Sequence, residues 1–170
     1  VLIDLQQHFG NTRTHVNLNM LQEVITKDEI QIEEGDIICL HTGLGELIMQ
    51  SPITGPDASI KTACAVLDGH DKSLLQWITD TGIAAIASDN LAIEASSTLG
   101  LPKDFGHHGP ILPLHEHCLF KLGIHLGELW YLTDLARWLR DQKRSRFLLT
   151  APPLRLPGAA GSPVTPIATV

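Results

Sequence analysis

Residues 113–128, PLHEHCLFKLGIHLGE, place three histidines and two glutamates in one short stretch. His115 lies at the start of an expected helix. Glu128 follows thirteen residues later, beyond that helix, a glycine turn and a short strand, IHL. This return path can bring the two side chains to the same end of the structure. An imidazole and a carboxylate converging there suit a divalent first-row metal such as zinc or manganese, and equally a general-base pair. The spacing is not a specific signature, and polar loop residues are the simpler reading of the stretch taken alone. His117 points to another helical face. His125 alternates away from Glu128 on a strand, so both read as bystanders. Glu116 reads as a first-turn acid favoured by the helix dipole.

Asp89 ends an expected buried strand, where open α/β sheets place ligand-binding groups, although a carboxylate there can equally cap the next turn. Glu94 follows in SDNLAIE. The two histidines of GHHGP (106–110) read as part of a loop. In APPLRLPGAAGSP (151–163) prolines limit the backbone and glycines permit close approach, which makes it a shaped surface. No Gly-x-Ser-x-Gly elbow and no glycine-rich phosphate loop are present.

The elements that must position these groups alternate. VLIDL (1–5) reads as a strand, 10–17 as loop, and Leu18, Leu21, Val24 and Ile25 recur at helical spacing. EEGD is a turn, and IICLHT (37–42) is a strand covered on both faces. Residues 50–71 read mainly as a long loop with a short helix at 59–67. DKSLLQWITDTG is a helix with Asp71 as N-cap and Gly82 as its stop, followed directly by strand IAAIASD (83–89). NLAIEA extends that strand or turns back from it. HCLFKLG is a helix ending at Gly123. YLTDLARWLRDQK is a helix with Thr133 as N-cap, and RFLLTAPP and VTPIATV are strands. The expected class is α/β in one domain spanning 1–170.

With 44% hydrophobic and 18% charged residues, the chain has material for a real core. A net charge of -7 argues against a nucleic-acid partner. RWLRDQKRSR (137–146) reads as a solvated helix end. Cys39, Cys64 and Cys118 are odd in number and widely spaced, which fits reduced thiols and a cytoplasmic location. No apolar run reaches the ~20 residues needed to cross a bilayer. No secretory leader is visible. Opening inside a core strand, the chain is expected to continue upstream of Val1.

Several stretches together resemble the metal-dependent cyclase family, which includes bacterial kynurenine formamidases and isatin hydrolases. They are VLIDL, IEEGDIICLHTG, GIAAIASDNLAIE, LPLHEHCLFKLGIHLGELWYLTDLA and FLLTAPPLRLPGAAGSPVTPIATV, in the family's order and across nearly the whole chain. The last is the most specific. The resemblance implies a swivelling β/β/α domain with a mixed sheet, a homodimer, and zinc- or manganese-dependent hydrolysis of an amide, formamide or lactam bond in a small molecule. The kynurenine formamidase likeness implies a place in tryptophan catabolism. By position His115 matches the family's late histidine and Glu128 its late glutamate, which implies catalytic and metal-binding roles for both. In isatin hydrolases that histidine acts near the substrate instead. Asp89 and Glu94 match an acidic pair with a supporting role.

One departure stands out. The family's main metal motif is a histidine, Gly-Thr-His, an aspartate and a further histidine, and the chain lacks it. His15 follows a threonine, but Asn17 stands where the aspartate would be. The sequence therefore resembles the C-terminal two-thirds of a family member, short of three expected ligands. The alternative expectation is a non-catalytic, truncated or diverged relative that serves as a dimeric ligand-binding or structural protein. Polyketide-type ring closure is a third, minor one.

Overall fold

The structure is a computed structural model, and it describes residues 1–52, 58–95 and 110–170. Strands β1 (Leu2–Asp4), β3 (Ile37–His41), β5 (Ala85–Ser88) and β6 (His125–Gly127) form a parallel sheet in the order β1-β3-β5-β6. Between the first two lie α1 (Leu5–Phe9), β2 (Thr14–Val16) and α2 (Leu18–Lys27). Then come α3 (Leu44–Met49), a 3-10 turn (Ala58–Thr62), β4 (Ala65–Leu67) and α4 (Lys72–Thr81). After β5, α5 (Pro113–His115) runs on as a π-helical stretch, Glu116–Leu122, before β6. Helix α6 (Thr133–Asp141) and strands β7 (Leu148–Thr150) and β8 (Ile167–Thr169) close the order.

The sheet is apolar on both faces because helices cover both, as parallel sheets require. Alternation along each strand assigns the faces. Ile3, Ile38, Leu40 and Ile86 pack with Leu21 and Val24 of α2 and with Leu74 and Ile78 of α4. Leu2, Cys39 and Ala87 pack with Leu132, Ala136 and Leu139 at α6. Each fully buried Leu or Ile contributes about 1.5–3 kcal/mol. The carboxylate of Asp71 fastens two elements: it accepts the Ser73 amide at the start of α4 (2.9 Å) and the Leu18 amide at the start of α2 (2.8 Å).

Parallel and antiparallel pairing both occur, as the α/β expectation requires, but in separate sheets. Several local expectations need correction. Residues 10–17 are not all loop, and 50–71 hides a strand: β2 and β4 pair in parallel as a small second sheet. Strands of three residues carry no readable period. Leu5 begins a helix because Asp4 turns to accept the Gln7 amide as its N-cap. Thr133 is the first residue of α6, not its cap, since Leu132 holds that position. NLAIEA turns back, with Glu94 bridging to Leu67. All three cysteines are buried free thiols. Among the described residues, no helix is long and apolar enough to cross a membrane.

Candidate functional site

The site forms at the carboxyl end of β5. Asp89 comes first there, and its carboxylate is fully engaged. Oδ1 accepts the Thr42 amide and hydroxyl, each at 2.7 Å, and Oδ2 accepts the Gly43 amide at 2.8 Å. Asp89 thus caps the turn between β3 and α3 and not, as the alternative expectation had it, the turn that follows it in the chain. Gly43 is required in that turn: its φ is +87° and a Cβ would lie 2.7 Å from Gln6 Cγ.

After Asp89 the chain folds into a hook. Ala92 and Ile93 both adopt positive φ, 66° and 56°, a conformation that costs a non-glycine residue about 1–3 kcal/mol. Ladder bonds to β4 hold the hook, with Leu67 N–H donating to Ile93 (2.9 Å) and Ala95 N–H to Leu67 (3.0 Å). The consequence is that Glu94 points inward and is wholly buried. Its Oε2 accepts the Leu114 amide, and its Oε1 accepts both the His115 amide and His115 Nδ1–H, all at 2.9 Å. Helix α5 begins at Pro113 with no capping side chain of its own. Glu94 supplies that cap from a distance and satisfies two free amides where the dipole favours a carboxylate. Gly69 makes room, since a Cβ there would sit 1.7 Å from Glu94 Oε2.

The other nitrogen of His115, Nε2, meets Glu128 Oε1 at 3.0 Å. Glu128 begins a strap that leaves β6. Leu129 N–H donates to the Asn90 carbonyl (3.1 Å) and Trp130 N–H to the Ser88 carbonyl (3.0 Å). The Trp130 ring lies over Gly127, where a Cβ would approach it to 2.9 Å. The structure therefore brings His115 and Glu128 together, with Glu94 holding His115 from behind, in line with the supporting role the family resemblance implies for it. The His115 side chain is 20% exposed and that of Glu128 35%, so the pair opens to solvent.

Two carboxylates flank one imidazole, and carboxylates only accept, so both ring nitrogens carry hydrogen. The hydrogen bonds to Glu128 and Glu94 outweigh burial and raise the His115 pKa to about 9. The hydrogen bond from His115, helped by the Ala92 amide, holds Glu128 below the usual carboxylate range against burial. Cys118 lies nearby, but burial, reinforced by the Glu94 charge, pushes its thiol up to about 12, which removes it as a nucleophile.

The donors also bear on a metal. An imidazole nitrogen fixed through its partner nitrogen by a buried carboxylate, beside a second carboxylate, is the right chemistry for a divalent first-row ion. The number falls short: among the described residues no group of three or more His, Cys, Asp or Glu could hold an ion. His115 and Glu128 are two, where a catalytic zinc takes three protein ligands.

The bystanders separate from this centre. His117 bonds Thr79 Oγ1 at 2.9 Å, His125 is exposed in β6, and Glu116 pairs with Lys121. His107 and His108 lie outside the described residues. The stretch 137–146 is mostly exposed, as expected of a solvated helix end, and its arginines form ion pairs. Arg137 pairs with Glu46, Arg140 with Asp4, and Arg146 with Glu33 and Asp36. One buried group carried no sequence signal: His41 Nδ1–H donates to Asp4 Oδ1 across paired strands (2.8 Å), and the residue is 2% exposed. A cleft of about 400 Å³ that includes Asp4 and Arg140 contains neither His115 nor Glu128.

Residues 1–95 match the Cyclase family, described as "Putative cyclase". The chain is similar to a crystal structure described as a novel cyclase, with 30% identity and a TM-score of 0.79, covering 100% of this chain and 52% of that one. It is similar in fold to an isatin hydrolase bound to the product analogue thioisatinate (15% identity, TM-score 0.65, 99% of this chain and 58% of that one). An isatin hydrolase A from Labrenzia aggregata gives 16% identity, a TM-score of 0.65, and 99% and 59% coverage. No curated protein sequence matches. The chain spans about half the length of the solved structures it resembles. With more than half of its residues matched and a 30% identical relative covering all of it, the chain belongs to the Cyclase family.

Proposed function

We propose that the protein carrying this chain is a metal-dependent hydrolase of a small amide, formamide or lactam, and that His115 and Glu128 work in its active site. The observation that carries this reading is the 3.0 Å contact between His115 Nε2 and Glu128 Oε1, with His115 Nδ1 held by the buried Glu94. A structure similar in fold is described as a potential metal-dependent hydrolase with cyclase activity (19% identity, TM-score 0.58, 98% of this chain and 62% of that one), which supports the class.

In this reading His115 and Glu128 are two of the ligands of a divalent ion, which supplies Lewis acidity and an acidified water when bound. The chain's own residues do the following. Glu94 fixes the imidazole orientation through Nδ1. A carboxylate oxygen of Glu128 takes the proton of the attacking water and passes it to the leaving nitrogen as the C–N bond breaks, giving the acid and the amine, while His115 keeps Nε2 for the ion. The protein works as a homodimer that takes a small-molecule substrate; sedimentation velocity tests the dimer. The test of the function is a panel of formamides, lactams and cyclic imides assayed with zinc, with manganese and with chelator. Hydrolysis that needs metal is expected, and none across the panel would refute the reading.

The shortage of donors among the described residues favours a second reading, a non-catalytic relative that binds a small ligand. Stoichiometric zinc or manganese in the purified protein would exclude its metal-free form.

A further inference from the structure

Each carboxylate beside His115 sits on an irregular segment: Glu94 on the strained hook, Glu128 at the root of the strap. The hook is tied to β4 by a single bridge and the strap follows the end of β6, yet both carboxylates converge on one imidazole. Asn90 touches both segments. Its side-chain Oδ1 accepts the Ile93 amide at 3.0 Å, which pins the hook one residue before Glu94. Its Nδ2 donates to the Ala65 carbonyl at 3.1 Å, which moors the hook to β4. Its own carbonyl accepts the Leu129 amide at 3.1 Å, one residue after Glu128. Its amide donates to Ser88 Oγ at 3.2 Å. The residue is 1% exposed, and its backbone amide, backbone carbonyl and both side-chain heteroatoms are all engaged in the interior.

We propose that Asn90 is the positioning residue of the site, fixing the hook under Glu94 and the strap under Glu128 so that both carboxylates meet His115 at once. It touches none of the reacting atoms and acts through the two glutamates. This role rests on the reading of His115 and Glu128 as the working pair. Asparagine suits the position because it tolerates turns and offers an acceptor and a donor on one short side chain. An aliphatic residue would leave the Ile93 amide and the Ala65 carbonyl buried without partners, and the positive φ of Ala92 and Ile93 would lose its restraint.

The test reads geometry rather than turnover. In the 170-residue chain with ¹⁵N-labelled histidine, the two His115 ring N–H protons are expected as hydrogen-bonded, exchange-protected signals, assigned by their loss in H115N. Asn90→Ala is expected to lose both while the amide spectrum of the parallel sheet stays in place. Asn90→Asp keeps the acceptor for Ile93 but sets a carboxylate oxygen against the Ala65 carbonyl, so it is expected to weaken both. An Asn90→Ala protein that is folded and keeps both signals overturns the proposal. If Asn90→Ala does not fold, Asn90→Asp decides: both signals unchanged with an intact amide spectrum overturn it. Because the signals do not depend on hydrolysis, a failed assay of the substrate panel leaves this result standing, and the reverse also holds.

Discussion

Glu94 accepts three hydrogen bonds from one helical turn while wholly buried, so its removal should be costly in two ways. Glu94→Ala strands two buried amides and frees the His115 ring. Each unmet buried donor costs about 1–3 kcal/mol, so a loss of about 3 kcal/mol or more is expected in urea denaturation. Gly69→Ala attacks the same point from the other side. Its Cβ would fall 1.7 Å from Glu94 Oε2, so the carboxylate must move. About 1–3 kcal/mol of destabilisation is expected, together with a shift of the His115 ring signals, and an unperturbed ring would contradict the packing described. The sequence exposes His115 and Glu128 through residue type and a plausible return path. It does not expose what Glu94 does. That depends on two consecutive left-handed residues, Ala92 and Ile93, which local propensity disfavours and which tertiary bonds impose.

At the scale of the element, legibility follows punctuation. Helix α4 is readable because Asp71 and Gly82 mark its ends, and Gly82 adopts the left-handed stop with φ of 64°. Strands β2 and β4 are unreadable because three residues give no period and their pairing is non-local. Asp71→Ala should cost about 1–2 kcal/mol, and it should loosen the starts of both α4 and α2, detectable as faster amide exchange at Leu18 and Ser73. A pH effect belongs to the β1–β3–α6 contact. Burial pushes the Asp4 carboxyl up, but hydrogen bonds from His41 and Arg140 outweigh it and hold Asp4 below its ordinary value. A carboxyl depressed in the folded state stabilises above its unfolded pKa of about 3.9, and that stability is lost as pH falls through the lower folded value. Arg140→Gln should therefore unfold at higher pH in an acid titration. Near neutrality it should cost about 1–2 kcal/mol, allowing for the partial exposure of Arg140. Unchanged acid unfolding would remove Arg140 from this role.

At the scale of the molecule, the body and the C-terminal ribbon behave differently. The parallel sheet buries both faces, whereas β7 and β8 pair only with each other and leave Leu148, Leu154, Leu156 and Ile167 exposed. Isolated two-stranded hairpins are marginal in water, so the ribbon adds little to the stability of the body. A chain ending at Phe147 should melt within about 2–4 °C of the 170-residue chain, and a much larger drop would show that the ribbon stabilises the body. The α/β plan was legible because strand and helix patterns alternate, while the division into an all-parallel main sheet and a separate antiparallel ribbon, in place of one mixed sheet, was not. The shortage of metal donors belongs to this scale too: the chain spans about half the length of its structural relatives, and among the described residues no group of three or more His, Cys, Asp or Glu could hold an ion. The central claim is that this pair performs hydrolysis, and the most direct measurement is kcat/KM of the protein carrying the chain on its best amide substrate with saturating metal, for wild type, His115→Asn, Glu128→Gln and the bystander His117→Asn. The expected result is a fall of about 100- to 10,000-fold in the first two variants and wild-type values in the third; full activity in His115→Asn and Glu128→Gln would contradict it.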